Sequence, residues 1–459
     1  MRLRIEMLAS LSLALLLTGC PLTDHYQLLS QDAAGAPGAG SQSSAGAPGG
    51  SSSTSAGSDG FSGAVGDNGG SSGGSAGHSS SGTSGGPGCS NACNAKRACG
   101  VNGCTSGWVT MAPPPSGLVA RSKAVSVAMG KAVFIWGGLD NAGAALDTGA
   151  IYSPTTDTWT FLPKDPGSPS ARIMATAVWT GNASNKVIVY GGTDASGNMV
   201  YRDGAVYDVA NNAWAPLPPN PMGSKRSAPF GYWDGTRAVF YGGMASAINA
   251  APGADRFDLK SWSASTSSGD PGLLGSSATA FDGSVMYLQG GVIGSTRQDK
   301  VFAYTSSTDS WASLSKSLSA RTGSFGAWDG SRFVVWGGQD DAGLCNDGKA
   351  LSGMTWSEMS VAGAPDARRI AFRRSGWSFQ VNPGVIAVLG GLTSLTGIGL
   401  LSTGGATYDV VNARWTAISD WTSRQSHEYG IGVWTGEEFV LWGGRDQNVS
   451  TLVGERWAP

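Results

Sequence analysis

Phe134-Ile135-Trp136-Gly137-Gly138 ends an apolar run on a glycine doublet, and the same figure returns six more times. It recurs at Val189-Tyr190-Gly191-Gly192, Phe240-Tyr241-Gly242-Gly243, Leu288-Gln289-Gly290-Gly291, Val335-Trp336-Gly337-Gly338, Leu389-Gly390-Gly391 and Leu441-Trp442-Gly443-Gly444. Successive doublets lie 54, 51, 48, 47, 53 and 53 residues apart. Ahead of most of them stands a hairpin signal, as in Trp233-Asp234-Gly235, Phe281-Asp282-Gly283, Trp328-Asp329-Gly330 and Trp434-Thr435-Gly436, where glycine supplies the positive φ of a tight turn. Thirteen to seventeen residues after each doublet comes Tyr152, Tyr207, Phe257, Tyr304, Leu351, Tyr408 or Trp457. Five to seven residues further, six times, comes a tryptophan: Trp159, Trp214, Trp262, Trp311, Trp356 and Trp415. Each period therefore reads as a four-stranded antiparallel unit, and a period near 50 residues predicts a β-propeller.

The order Arg, Gly-Gly, Tyr, Trp resembles the kelch repeat, and the resemblance covers residues 105–459. Two units depart from it: Leu274 stands where the others carry Arg, and Leu351 replaces Tyr. The last unit stops at Gly454-Glu455-Arg456-Trp457-Ala458-Pro459, which aligns with Gly149 to Pro154 and supplies only a third strand. The missing fourth strand is expected from Gly107-Trp108-Val109-Thr110-Met111-Ala112-Pro113, which matches Thr158 to Pro163 and Ala213 to Pro218. The reading is an all-β, seven-bladed propeller whose ring is closed by an N-terminal outer strand, so that no sheet edge is left free at the joint.

Outward from the repeat, residues 31–88 contain 19 Gly, 16 Ser and 9 Ala in 58 positions, a composition that cannot bury enough apolar surface to offset chain entropy. Residues 20–88 are thus expected to be a disordered tether. Residues 1–19 read as an export signal, with Arg2 and Arg4 followed by the apolar run 7–17. That run is far short of the roughly 20 residues needed to span a bilayer. Leu17-Thr18-Gly19-Cys20 resembles a bacterial lipobox, which implies a diacylated Cys20 and an exported, lipid-anchored protein, periplasmic or surface-exposed. The competing reading is an ordinary secretory signal. Cys89, Cys93, Cys99 and Cys104 crowd into residues 89–104; in an exported chain two disulfides are the default, with pairing open, and Cys-x2-Cys zinc knuckles are absent. Cys345 is then left unpaired.

The chain of 459 residues has a net charge of −2 without basic runs, which argues against nucleic acid as a partner. The 17 Trp are spread by blade: seven in outer strands, five assigned to the end of innermost strands (Trp179, Trp233, Trp328, Trp377, Trp434), four in the second and third strands, with Trp421 left over. Such regularity points to packing between blades and not to a stacking platform.

In a four-stranded meander the start of strand one and the connection between strands two and three share a face, and that face carries the long loops. There the sequence places Arg121, Arg172, Arg226, Arg321, Arg369 and Arg424, with His427 near the last, and Asp140, Asp194, Asp340 and Asp446 after the doublets. Two readings are open. The guanidinium groups form a ring at the channel mouth that, with Asp340, grips an acidic protein loop or an anionic glycan. Alternatively each Arg pairs with a doublet-flanking Asp and ties loops together.

Kelch relatives include copper-radical galactose oxidases, a sialic-acid mutarotase and protein-binding propellers. The copper enzymes need two His, and beyond the tether this chain has only His427. No nucleophile elbow, phosphate loop, paired-carboxylate motif, cofactor site or metal site is recognisable; Asp340, Asp341 and Glu428 are the acidic residues near the mouth. The expectation is a membrane-anchored binding or scaffolding module with no catalytic residue assigned, the alternative being a mutarotase-type carbohydrate enzyme. If Cys20 carries the lipid, Cys20→Ala abolishes acyl labelling and releases the chain from the membrane fraction; unchanged labelling contradicts the anchor.

Overall fold

The computed structural model describes residues 99–100, 103–104, 107–246, 249–272, 275–316, 318–370, 376–395, 401–446 and 448–459. The export signal, Cys20, the tether, Cys89 and Cys93 lie outside these residues. Cys99 and Cys104 are register partners in a two-stranded ribbon of Cys99–Gly100 and Gly103–Cys104.

Seven four-stranded antiparallel sheets follow one another. Blade 1 runs Val125–Met129, Ala132–Trp136, Gly149–Ser153 and Thr158–Phe161 from the innermost strand outward. Blades 2 to 6 repeat this order, beginning at Thr176–Trp179, Phe230–Trp233, Ala278–Phe281, Phe325–Trp328 and Gly376–Asn382. Blade 7 takes Ile431–Trp434, Phe439–Trp442 and Gly454–Ala458 from the end of the chain and Gly107–Thr110 from before blade 1. Trp108 pairs with Trp457 as Trp159 pairs with Tyr152, so the closing strand occupies the position expected from sequence. A single helical turn, Gly181–Ser184, replaces the tight hairpin of blade 2.

Innermost and second strands are almost wholly buried because they face neighbouring blades on both sides. Outer strands alternate, burying their tryptophan and exposing its neighbours, as in Ala213–Pro216. In five blades an aromatic residue ending the second strand packs against the outer-strand tryptophan of the next: Trp136 on Trp214, Tyr190 on Trp262, Tyr241 on Trp311, Trp336 on Trp415 and Trp442 on Trp159, with centroids 4.8 to 6.0 Å apart. Six of the seven outer tryptophans also donate Nε1–H to a carbonyl of the linker entering their blade, for example Trp159 to Ala112 O at 3.0 Å and Trp108 to Ser419 O at 2.8 Å. Trp377 departs from its expected place: it is the second residue of its strand, paired with Leu389, and the bulge at Gln380/Asn382 in that longer strand separates it from the hairpin. Trp421 lies buried in the linker before blade 7, its Nε1–H donated to Gln425 O.

The closing strand contributes four register pairs, the Met111 N–H bond to Gly454 O, and Trp108 contacts with Trp421 and Phe439. Removing residues 105–112 is expected to cost several backbone hydrogen bonds at about 1 kcal/mol each and tryptophan burial of about 2 to 3 kcal/mol. A calorimetric melt of the truncated chain within a degree or two of the full one would contradict closure by this strand.

Candidate functional site

Every first glycine of a doublet offers its carbonyl to a side chain near the start of its own blade's innermost strand. Arg121 Nη1 donates to Gly137 O at 3.0 Å, Arg172 Nη1 to Gly191 O at 3.1 Å, Arg226 Nη1 to Gly242 O at 2.8 Å, Arg321 Nη1 to Gly337 O at 3.2 Å and Arg368 Nη1 to Gly390 O at 3.1 Å. In blade 7 the imidazole of His427 does the same, Nδ1 lying 2.7 Å from Gly443 O. In blade 4 Ser277 Oγ donates to Gly290 O at 3.1 Å, and Leu274, at the position equivalent to the arginines, lies outside the described residues.

The arginines are therefore interior groups. Arg121, Arg172, Arg226 and Arg321 are 1 to 3 % exposed. Burial pulls the Arg121 guanidinium down to about 10, still cationic at neutral pH, and it is neutralised by dipoles: Gly137 O, Thr148 O, Thr148 Oγ1 and Val119 O. Arg172, Arg226 and Arg321 add carboxylates at the head of the third strand, pairing with Asp203, Asp255 and Asp347 at 3.0, 2.7 and 2.9 Å.

Three sequence expectations are corrected. The ring position in blade 6 belongs to Arg368; Arg369 is one residue further on, its backbone bonded to Leu392, and its carbonyl bridge is the edge pairing that follows the ring residue in every blade. The ring position in blade 7 belongs to His427, and Arg424 is an exposed linker residue with φ +53°. The carboxylates after the doublets do not take the arginines: Asp140, Asp194 and Asp340 accept amide hydrogens within their own loops, from Ala144, Met199, and Ala342 with Gly343. Asp340 also accepts from Ser319 Oγ; burial raises it, and these hydrogen bonds outweigh burial and hold it below the usual carboxylate value. The acceptors are the doublet carbonyls and the residues heading strand three. A usable signal was present, since Arg121, Arg226, Arg321 and His427 each stand 16 residues before their first doublet glycine.

The channel mouth on this face is rimmed by backbone. Lys123, Met174, Ala228, Ser276, Gly323 and Tyr429 all adopt positive φ, and their amides run from blade to blade: Lys123 N to Tyr429 O, Met174 N to Lys123 O, Ala228 N to Met174 O, Gly323 N to Ser276 O and Ile370 N to Gly323 O, at 2.7 to 3.2 Å. Met174 and Ala228 are buried in this collar, and Lys123 and Arg445 stand over the Tyr429 ring.

Outside the collar the long loops carry the exposed apolar surface. Of ten exposed large hydrophobic residues among the described residues, seven lie in connections of this face: Val119, Met199, Ile293, Val361, Leu395, Val449 and Leu452. Met354 and Val411 cap hairpins on the opposite face, and Phe161 ends an outer strand. A groove of about 540 Å³ opens in blade 5 between Ser319, Arg321, Asp340, Cys345, Asp347 and Lys349. Its charges are engaged with one another, Asp347 with Arg321 and Lys349 with Glu358 at 2.7 Å. Cys345 is free and 7 % exposed, and burial raises its thiol pKa, so it is a poor nucleophile. Among the described residues no group of three or more His, Cys, Asp or Glu is arranged to hold a metal ion.

Arg226→Ala leaves Asp255, itself 2 % exposed, with the Tyr190 hydroxyl but without its countercharge and is expected to destabilise the fold by about 3 to 5 kcal/mol, whereas Arg424→Ala stays within about 0.5 kcal/mol. Denaturant melts of the two variants check this, and equal effects would overturn the assignment of the ring arginines to the interior.

A family model described as Kelch motif matches residues 120–166, which span Arg121, the whole of blade 1 and the linker beyond it. No curated protein matches the chain. The matched segment is one period, and its Arg, glycine doublet, Tyr and Trp recur in register round the ring, with Leu274 and His427 at the Arg position and Phe257, Leu351 and Trp457 at the Tyr position. The chain is a kelch-repeat β-propeller of seven blades.

Proposed function

We propose that this propeller is a protein-binding module, held to a cell-envelope membrane through Cys20 and presenting its long-loop face to the partner. The observation that carries the reading is the gathering of exposed Val119, Met199, Ile293, Val361, Leu395, Val449 and Leu452 on one face of an otherwise well-sealed ring. Aliphatic and methionine side chains at loop tips gain from burial against another protein. A glycan would be better served by several aromatic platforms, and among the described residues the exposed large hydrophobics at this end of the blades include one aromatic, Phe161, opposite Ala150 at the head of the third strand.

Charge refines the partner. With the ring arginines committed inside, the cations at this face include Arg202, Lys225, Lys300 and Arg424, which are exposed, and Lys123, Arg369 and Arg445, which are half-buried around blades 6, 7 and 1. Leu395, Val449, Leu452 and Val119 surround the same sector, which suits an acidic protein loop carrying apolar residues. The closing strand, Gly107–Thr110, enters blade 7 from the tight-hairpin side, since Gly107 pairs with Ala458 at the end of the third strand. A tether attached there would leave the long-loop face directed away from the anchor.

Photo-crosslinking residues placed at Leu395 and Val449 are compared in intact cells with the same residues at Met354 and Val411. Protein adducts from the first pair alone are expected. Adducts from the opposite face, or retention of the purified chain on an anionic glycan array that survives aspartate substitutions at Leu395 and Val449, would overturn the reading.

A further inference from the structure

We propose that His427 makes closure of the ring acid-sensitive, so that blade 7 opens at mildly acidic pH while the other blades stay shut. In five blades the first doublet glycine is held by a guanidinium, charged at any physiological pH; in blade 7 it is held by an imidazole. This blade is also the one built from both ends of the propeller domain, with Gly107–Thr110 as its outer strand. His427 is 0 % exposed. Its Nδ1 faces Gly443 O at 2.7 Å, its Nε2 lies 3.5 Å from Ser423 Oγ, and Trp421 meets it edge-on at 5.9 Å.

The charged groups that face it are Glu455 on the third strand and Asp446 in the loop after the doublet. Both favour the imidazolium, but Glu455 already spends its oxygens on the amides of Thr422 and Ser423, at 2.5 and 2.6 Å. Burial prevails, and the folded protein holds His427 neutral, below its ordinary 6.5. The sign follows directly. Above about pH 6.5 the imidazole is neutral folded or opened, and closure is at full strength. As pH falls below that value the opened state takes up a proton that the closed state refuses, so opening gains about tenfold per pH unit until the folded pKa is passed. The collar contact of Tyr429 O with Lys123 N and the Gly444 N bond to Arg121 O lie within a few residues and join blade 7 to blade 1.

Hydrogen exchange of the intact propeller is measured at pH 7.5 and 5.5, corrected for intrinsic rates, in the native chain, His427→Arg and His427→Gln. Both variants keep Glu455 and Asp446, so acid sensitivity of those carboxylates appears equally in all three proteins. The expected result is a rise of about tenfold in opening of Phe439–Trp442 and Gly454–Ala458 in the native chain, little change in blade 2, and loss of the rise in both variants. If one variant fails to fold, the other decides. A rise of the same size in a folded variant, a rise spread over all blades, or no rise at all overturns the proposal.

Discussion

The structure depends on how one blade is tied to the next at the glycine doublets. The second glycine donates its N–H to the carbonyl of the following blade's ring residue, as Gly138 does to Arg172, Gly192 to Arg226, Gly291 to Arg321, Gly338 to Arg368 and Gly444 to Arg121, at 2.8 to 3.0 Å. The first glycine lies so close to that same carbonyl that a Cβ would sit 2.2 to 2.8 Å from the oxygen at Gly137, Gly191, Gly290, Gly337 and Gly443. Side chains are excluded there by contact, and positive φ at both positions excludes them again. The ring arginine therefore serves two joints, its guanidinium fixing its own doublet and its carbonyl the doublet of the previous blade. Such an arrangement cannot also offer the guanidinium to a ligand without loosening both.

Much of this was legible in the sequence because packing repeats with the period. The doublets, the outer tryptophans and the split seventh blade were all readable from spacing, since every blade solves the same burial problem against the same neighbour. The direction of the arginines was not. Side-chain type and position relative to a long loop say nothing about whether a guanidinium turns out to solvent or in to a carbonyl, and the partner that all five ring arginines share is a backbone oxygen that no residue letter marks. Arg368 beside Arg369 left the register ambiguous by one, and Arg424 three residues before His427 drew attention to the residue of the expected type instead of the one at the expected spacing.

Blade 4 shows what happens when the repeat is relaxed. Gln289 takes the place of Trp136 or Tyr190 at the end of the second strand and is 1 % exposed with neither amide atom hydrogen-bonded, while Trp311 alone among the outer tryptophans lacks a partner for its Nε1–H among the described residues. Ser277 fills in for the arginine at Gly290. Buried, unpaired polar atoms cost about 1 to 3 kcal/mol each, and blade 7 carries them too, at Trp442 Nε1 and at Arg456 Nε and Nη2. The ring tolerates blade 4 because its neighbours are tied at both sides. With packing accounted for by the repeat, the parts of the chain that differ from blade to blade are the long loops, and these carry the exposed aliphatic residues.

The most direct measurement of this account is the exchange protection of the second-glycine amides, Gly138, Gly192, Gly291, Gly338 and Gly444, resolved residue by residue at neutral pH. If the doublets tie blade to blade, these loop amides are protected as strongly as the central strands beside them and lose protection together on global unfolding. Protection no greater than that of the loop tips at Gly143 or Gly197 would contradict it.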